Sequence, residues 1–287
     1  MVTARELLEQ VSGLLRDAGL EDARFEAGQL LRIAGLKDVR LEPRQTVDED
    51  AIRRVQGLAR RRLRREPLQY LAGEWDFWDY TLAVGPGVLI PRPETELCAM
   101  TAAQIAAQAG PGARALDLCS GTGAIALGIA LHGNGARVTA VELSEQAFGY
   151  LARNDRAYGG RLELIRGDVL EPGGLGLPER AFDVIASNPP YVTEEEYRHL
   201  APELYFEPKM ALTAPRDGLL FYERIAPGYR RFLKPGGWLV LEIGEQQGEA
   251  VAALCRGAGY ESVRIHPDLE GRPRMVTARL PLHFGRV

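Results

Sequence analysis

Leu7, Leu8, Val11, Leu14, Leu15 and Ala18 fall at helical spacing behind a Thr3/Glu6 pair that fits a capping box, and Gly19 ends this first helix. A second helical pattern covers about residues 22–34 and stops at Gly35. A third, opened by Thr46 with Glu49, runs to about Arg65. Three short helices with no strand between them predict a small bundle. From Pro67 the pattern changes to aromatic and β-branched residues broken by glycine (Tyr70, Trp75, Phe77, Trp78, Tyr80, Leu82, Val84), which predicts a β-hairpin. It leads into Leu89-Ile90-Pro91-Arg92-Pro93-Glu94-Thr95-Glu96, where proline starts a helix that continues to about Gln108. From Ala113 onward strands and helices alternate, as in a parallel sheet covered on both faces. Strands are expected near 113–119, 137–143, 161–168, 182–188, 236–244, 261–267 and 274–280, with helices after 123, 144, 194, 217 and 245. The last two strands are joined by Pro267 to Pro273, too short for a helical crossover, so they should run antiparallel. The organisation expected is a helical domain over 1–72, a hairpin linker over 73–92 and an α/β domain over 93–287.

Composition narrows the classes. With 35 basic against 39 acidic residues the net charge is −4, so the chain carries no overall electrostatic footprint for nucleic acid. Its one dense basic stretch, Arg53, Arg54, Arg60, Arg61, Arg62, Arg64 and Arg65, reads as a solvated helix face in preference to a patch for an acidic or RNA-bearing partner. Cys98, Cys119 and Cys255 are odd in number and sit in apolar contexts, which fits buried thiols in a reducing, cytoplasmic compartment. No run approaches the length needed to span a bilayer, so no membrane partner is expected. His132, His199, His266 and His283 show no ligand spacing with one another or with the cysteines, so no metal is expected.

The chemistry lies at strand ends. Asn188-Pro189-Pro190-Tyr191 closes the run Phe182 to Ser187, and two prolines stop a strand abruptly because neither can donate to a sheet ladder. An amide side chain, outward carbonyls and an aromatic ring then meet where open α/β sheets keep their ligands, a place shaped for a flat –NH2 group. Asp117-Leu118-Cys119-Ser120-Gly121-Thr122-Gly123 ends the first sheet strand and opens a helix whose amino terminus favours a negative group. With Ala126 it also satisfies a dinucleotide-binding pattern, and Glu142 falls where an acid would hold ribose hydroxyls, so a nicotinamide oxidoreductase competes on this evidence. Asp168 ends the third strand, where it could accept from an adenine amine with Val169 beside the ring. A dinucleotide enzyme has no use for Asn-Pro-Pro-Tyr across the switch point, whereas a methyl donor built from adenosine and methionine needs an acceptor there.

The tetrapeptide Asn188 to Tyr191 combined with Asp117 to Gly123 resembles the class I S-adenosylmethionine-dependent methyltransferases that modify planar nitrogen atoms. Leu89 to Glu96, the run Gly121 to Leu127 and the helical amino-terminal domain resemble the protein-(glutamine-N5) methyltransferases of peptide chain release factors, the PrmC/HemK family. The Pro-Arg-Pro-Glu-Thr-Glu stretch is the most family-specific part; the tetrapeptide is shared with adenine and cytosine amino-methyltransferases. Cys119 stands where glycine is frequent and Glu142 where aspartate is frequent. The resemblance implies an α/β, Rossmann-like methyltransferase domain with a seven-stranded mixed sheet, preceded by a substrate-docking helical domain. It implies S-adenosyl-L-methionine as cofactor, S-adenosyl-L-homocysteine as product, and a release-factor glutamine as substrate, in support of translation termination. Cys119, Ser120, Gly121, Thr122, Gly123, Glu142, Asp168, Val169 and Asn188 would bind the cofactor, and Asn188, Pro189, Pro190 and Tyr191 would hold and activate the substrate amide. Asp117 would order the glycine loop or cap it from beneath. The nearest alternative is a nucleic-acid adenine or cytosine amino-methyltransferase, which would need to flip a base and usually carries an extended basic surface.

Overall fold

The amino-terminal pattern folds as α1 (Ala4–Asp17), α2 (Ala23–Ile33) and α3 (Glu49–Leu63), in a computed structural model that describes residues 2–37, 39 and 41–282. Contacts divide the chain into two units, Met1–Trp75 with Ala201–Phe206, and Asp76–Leu200 with Glu207–Val287. In the first, the Thr3/Glu6 capping box forms as expected: Glu6 N–H donates to the Thr3 hydroxyl at 3.3 Å and Thr3 N–H to Glu6 Oε2 at 2.8 Å. The cap of α3 differs from expectation. Thr46 is taken up in an antiparallel bridge with Thr3, and Asp48 caps instead, accepting from Ala51 N–H at 2.7 Å. Leu7, Leu15, Ala27, Leu30 and Val55 close the core between the helices.

The arginine stretch is not simply a solvated face. Arg62 is only 5 % exposed and donates to both Glu26 oxygens (2.6 and 3.0 Å) and to Glu203 (3.0 Å), and Arg65 also donates to Glu203 at 3.2 Å. Burial alone would lower the Arg62 pKa, but the two carboxylates outweigh it and raise it. Arg53 and Arg61 pair with carboxylates on the same chain segment, while Arg60 and Arg64 stay exposed. Residues after Pro67, expected to be extended, first make a one-turn helix, α4 (Leu68–Ala72), which starts on the proline and is stopped by Gly73 at φ +78°. The hairpin follows as β1 (Glu74–Phe77) and β2 (Tyr80–Ala83).

The second unit is built on β3 (Arg114–Leu118), β4 (Arg137–Glu142), β5 (Leu162–Arg166), β6 (Phe182–Ser187), β7 (Leu233–Glu242), β8 (Glu261–Pro267) and β9 (Pro273–Arg279). They form one sheet in the order β5-β4-β3-β6-β7-β9-β8, parallel except for β9, which is antiparallel to both neighbours as the short Pro267–Pro273 connection requires. The helices are α5 (Thr95–Ala109), α6 (Ala124–His132), α7 (Glu145–Ala157), α8 (Glu194–Tyr197), α9 (Lys209–Leu212), α10 (Leu220–Gly228) and α11 (Gly248–Gly257). One face of the sheet is covered through Cys98, Ala99, Ala102, Ala103 and Ala106, a stripe of small side chains that lets α5 lie close to α6. Tyr222, Tyr229, Phe232 and Val251 cover the other face. Strand β6 serves both layers, Val184 and Ala186 pointing to the first and Ile185 to the second.

The register sets the site. Leu118, the last residue of β3, is level with Ser187, the last of β6, and with Val141 of β4. Cys119 and Asn188 therefore leave the sheet side by side, at the point where the strand order reverses.

Candidate active site

The glycine loop is held from three sides. Ser120 Oγ donates to the Asp117 carbonyl at 3.0 Å, and Asp117 Oδ2 accepts from Ala126 N–H at 3.2 Å, across the first turn of α6. Glu142, at the end of β4, accepts from Gly121 N–H (2.8 Å) and Ser144 N–H (2.7 Å), tying the loop to its neighbouring strand. Asp117 thus both orders and caps the loop. The chain turns into α6 at Gly123, φ +87°, where a Cβ would lie 2.7 Å from Leu151. Cys119 also has positive φ, +59°, which gives a physical reason for glycine to be frequent there: a side chain in that conformation costs on the order of 1 kcal/mol.

Three carboxyls at this end of the sheet are shifted in the same direction. Burial pushes Asp117 up to about 7 against the opposing Ser120 and Ala126 hydrogen bonds, raises Glu142 against its backbone donors, and pushes Glu242 up to about 7. For an acid whose folded pKa lies above its unfolded value, the native state binds the extra proton, so stability falls as pH rises between the two values. Asp117→Asn keeps an acceptor for Ala126 without the charge. Its melting temperature is expected to match wild type near about pH 4 and to exceed it at about pH 8, where the wild-type penalty is on the order of 4 kcal/mol. A variant that melts below wild type at both pH values would contradict the shift.

The second wall is the turn after β6. Pro189 and Pro190 are buried, Asn188 Nδ2 donates to the Thr95 hydroxyl at 3.1 Å, and Tyr191 N–H donates to the Leu212 carbonyl at 3.1 Å. The Tyr191 carbonyl accepts from Gln247 Nε2 at 3.1 Å, and its phenol lies 3.5 Å from Glu242 Oε1. Between the walls is a cleft that encloses, with its open mouth, about 920 Å³. Cys119, Ser120, Gly121, Thr122, Glu142, Asp168, Val169, Asn188 and Pro190 all line it, so most of the residues selected from the sequence are brought together. Gly123, Pro189 and Tyr191 are not on its wall. Gly123 is turned beneath Leu151, Pro189 is buried, and Tyr191 aims its hydroxyl inward at Glu242.

Several residues of the site carried no role in the sequence reading. Thr95 sits against Asn188, and Glu207 is buried where it accepts from Ile90 N–H at 2.8 Å and pairs with Arg92, joining the Pro-Arg-Pro stretch to the segment that supplies Pro208, Met210 and Ala211 to the cleft. The available signal was Glu242, a single charge ending the apolar run Leu239-Val240-Leu241. Among the described residues no group of His, Cys, Asp and Glu is arranged to hold a metal ion, and His283 lies outside them. No helix among them is long and apolar enough to cross a membrane.

A seven-stranded sheet with an antiparallel strand inserted next to its edge, and a glycine loop facing an Asn-Pro-Pro-Tyr turn across the switch point, defines a class I methyltransferase, a class that in general uses S-adenosylmethionine. Residues 6–73 match the family model described as the PrmC N-terminal domain, and residues 115–205 one described as a methyltransferase domain. The release factor glutamine methyltransferase of Geobacter sulfurreducens is 36% identical over 282 residues, 97% of each chain. That of Streptomyces coelicolor is 37% identical over 286 residues, 95% of this chain and 96% of the relative. The chain belongs to the release factor glutamine methyltransferase family. A methyltransferase from Pyrococcus furiosus shares the fold, with a TM-score of 0.50 at 21% identity, covering 70% of this chain and 88% of that one.

Proposed function

We propose that this enzyme methylates the side-chain amide nitrogen of the glutamine in the Gly-Gly-Gln motif of peptide chain release factors, using S-adenosyl-L-methionine and leaving S-adenosyl-L-homocysteine. The observation that carries this reading is the placement of Asn188 and the glycine loop on facing walls of one cleft. The residues present suit the cofactor. Glu142 keeps a lone pair on each oxygen beyond those its two backbone donors use, enough to accept two ribose hydroxyls, and Asp168 offers a carboxylate beside the apolar Val169 for an adenine edge. Cys119 to Thr122 at the start of α6 suit the methionine carboxylate. When bound, the sulfonium supplies an electrophilic methyl group.

A glutamine amide is a poor nucleophile because its nitrogen lone pair is delocalised into the carbonyl. Asn188 Oδ1 accepts one of its hydrogens and the carbonyl of Pro189, whose ring is buried between the wall residues Asn188 and Pro190, accepts the other, and Pro190 stiffens the turn that carries both. As the nitrogen gains positive charge those bonds strengthen, so they favour the transition state over the ground state. The extra proton on the alkylated nitrogen then passes to water, with no base needed beforehand. Tyr191 supports the turn from behind, its phenol directed at Glu242. Residues 1–72 would dock the release factor, 73–92 set its distance, and 93–287 perform the transfer in the cytoplasm.

The test is mass spectrometry with peptide mapping of a purified release factor incubated with the enzyme and S-adenosylmethionine. One added methyl on the Gly-Gly-Gln glutamine is expected; methyl transfer to DNA or RNA in a parallel reaction, with none on the release factor, overturns the substrate. Separately, Glu142→Ala should weaken cofactor binding about ten-fold or more, the loss of a charged hydrogen-bond acceptor, as read by calorimetry.

A further inference from the structure

Thr95 begins α5 and Glu242 ends β7, and both are buried, 4 % and 2 % exposed. Thr95 also lines the cleft beside Asn188, whereas Glu242 is not on the cleft wall and meets the Asn188 turn through Tyr191. The Asn188 side chain donates through Nδ2 to the Thr95 hydroxyl at 3.1 Å. A hydroxyl that accepts from Asn188 must send its own proton elsewhere, and the Glu242 carboxyl, whose pKa the Thr95 hydroxyl lowers, offers a buried oxygen without a partner among the described residues to receive it. Glu242 Oε1 faces the Tyr191 phenol at 3.5 Å, and Oε2 is buried with no hydrogen bond of standard geometry among the described residues. The backbone beneath is fixed, the Tyr222 hydroxyl donating to the Glu242 carbonyl at 2.8 Å.

An asparagine amide is nearly symmetric in shape, so packing does not decide which of its ends enters the cleft. Only hydrogen bonding does. We propose that Thr95 and Glu242 are positioning residues: the Thr95 hydroxyl directs its proton at the Glu242 carboxylate, accepts from Asn188 Nδ2, and so holds Asn188 Oδ1 toward the substrate nitrogen. This rests on the reading of Asn188 as the acceptor for the substrate amide. It also gives the Pro-Arg-Pro-Glu-Thr-Glu stretch a function, since Thr95 is the residue by which that stretch meets Asn188.

The arrangement depends on pH. Burial pushes Glu242 up to about 7, helped by Glu94 at the start of α5 and opposed by Thr95, by Arg274 of β9 and by Tyr191; Cys98 of α5 and Tyr222 of α10 are the other titratable groups facing it. Once protonated, Glu242 donates where it had accepted. Thr95 is then free to donate to Asn188, which can rotate and present –NH2 to a substrate that is itself a donor. Turnover should therefore fall as pH drops through about 7.

The experiment measures kcat and KM on a release factor, with cofactor affinity by calorimetry, for wild type, Thr95→Val, Thr95→Ser, Glu242→Gln and Asn188→Ala. Thr95→Val is expected to lower kcat about ten-fold or more at about pH 8 with cofactor affinity within about two-fold, and Thr95→Ser to restore most of it. Glu242→Gln, which cannot ionise, is expected to flatten the acid limb that wild type shows between about pH 6 and pH 8. Thr95→Val turning over within about two-fold of wild type, while Asn188→Ala is impaired, overturns the proposal and leaves the underlying reading intact. If Asn188→Ala is itself unimpaired, the underlying reading falls. Should Thr95→Val not fold, the Glu242→Gln profile decides: an acid limb kept at the wild-type position overturns the proposal.

Discussion

Asn188→Ala is expected to lower turnover about ten-fold or more, equivalent to at least ~1.4 kcal/mol of transition-state stabilisation, while the protein stays folded and binds cofactor. The side chain is half-buried at a strand end, and its visible hydrogen bond runs sideways to Thr95, so its removal opens no large cavity in either face of the sheet. What is lost is one of the two acceptors that hold the substrate amide and follow the charge appearing on its nitrogen. Because that charge appears only during transfer, the loss should fall on kcat more than on KM. The measurement is single-turnover methylation of a release factor beside a thermal melt. Unchanged turnover with an intact fold would remove Asn188 from the mechanism.

Gly218→Ala is expected to damage the same turn from the other side. Gly218 is buried at φ +76°, and a Cβ there would fall inside van der Waals contact of the Tyr191 carbonyl oxygen and 2.5 Å from Gln247 Nε2, the group that donates to that carbonyl. The substitution combines left-handed strain with a collision against backbone, so a destabilisation of about 2–4 kcal/mol is expected, with a melting temperature lower by roughly 5–15 °C. Turnover should also fall at temperatures where the variant is fully folded, because the displaced carbonyl belongs to the Asn188 turn. Gly110→Ala is the control. Gly110 has φ +97° at the end of α5 with open space around its Cβ position, so it should cost strain alone and leave turnover unchanged. Equal effects of the two substitutions on turnover would sink the assignment.

The sheet was readable from the sequence because β4, β6 and the end of β7 are largely apolar runs closed by an acid or by the Asn-Pro-Pro turn, and because the five residues between Pro267 and Pro273 cannot make a crossover. Local chemistry failed where a distant partner competed. Thr46 has the right residue type and spacing to cap α3, but the strand-like pairing with Thr3 claims its backbone, and Asp48 lies two residues nearer the helix. Residues 68–72 look extended by composition and fold as a turn of helix because Pro67 sets the entry and Leu68 and Leu71 are buried together. At the site, Glu142, Asp168 and Asn188 were legible since each ends a strand, and strand ends converge. Thr95 was not, and Glu242, although it too ends a strand, carried a signal without a role. Their meaning comes from the meeting of α5, β6 and β7, which residue type and spacing do not encode.

Arg62 and Glu203 are separated by 141 residues of chain, and Glu203 belongs to the short segment Ala201–Phe206 that completes the amino-terminal unit. During synthesis the contacts of Glu203 with Arg62 and Arg65 can form only after the chain has been extended past that segment. Until then Arg62 has Glu26 but lacks Glu203, one of the two carboxylates that meet its guanidinium. A fragment cut after Trp75 would keep the apolar core of the three helices but leave Arg62 and Arg65 without Glu203, so the last ion pairs of the first-made unit are supplied by a much later part of the chain.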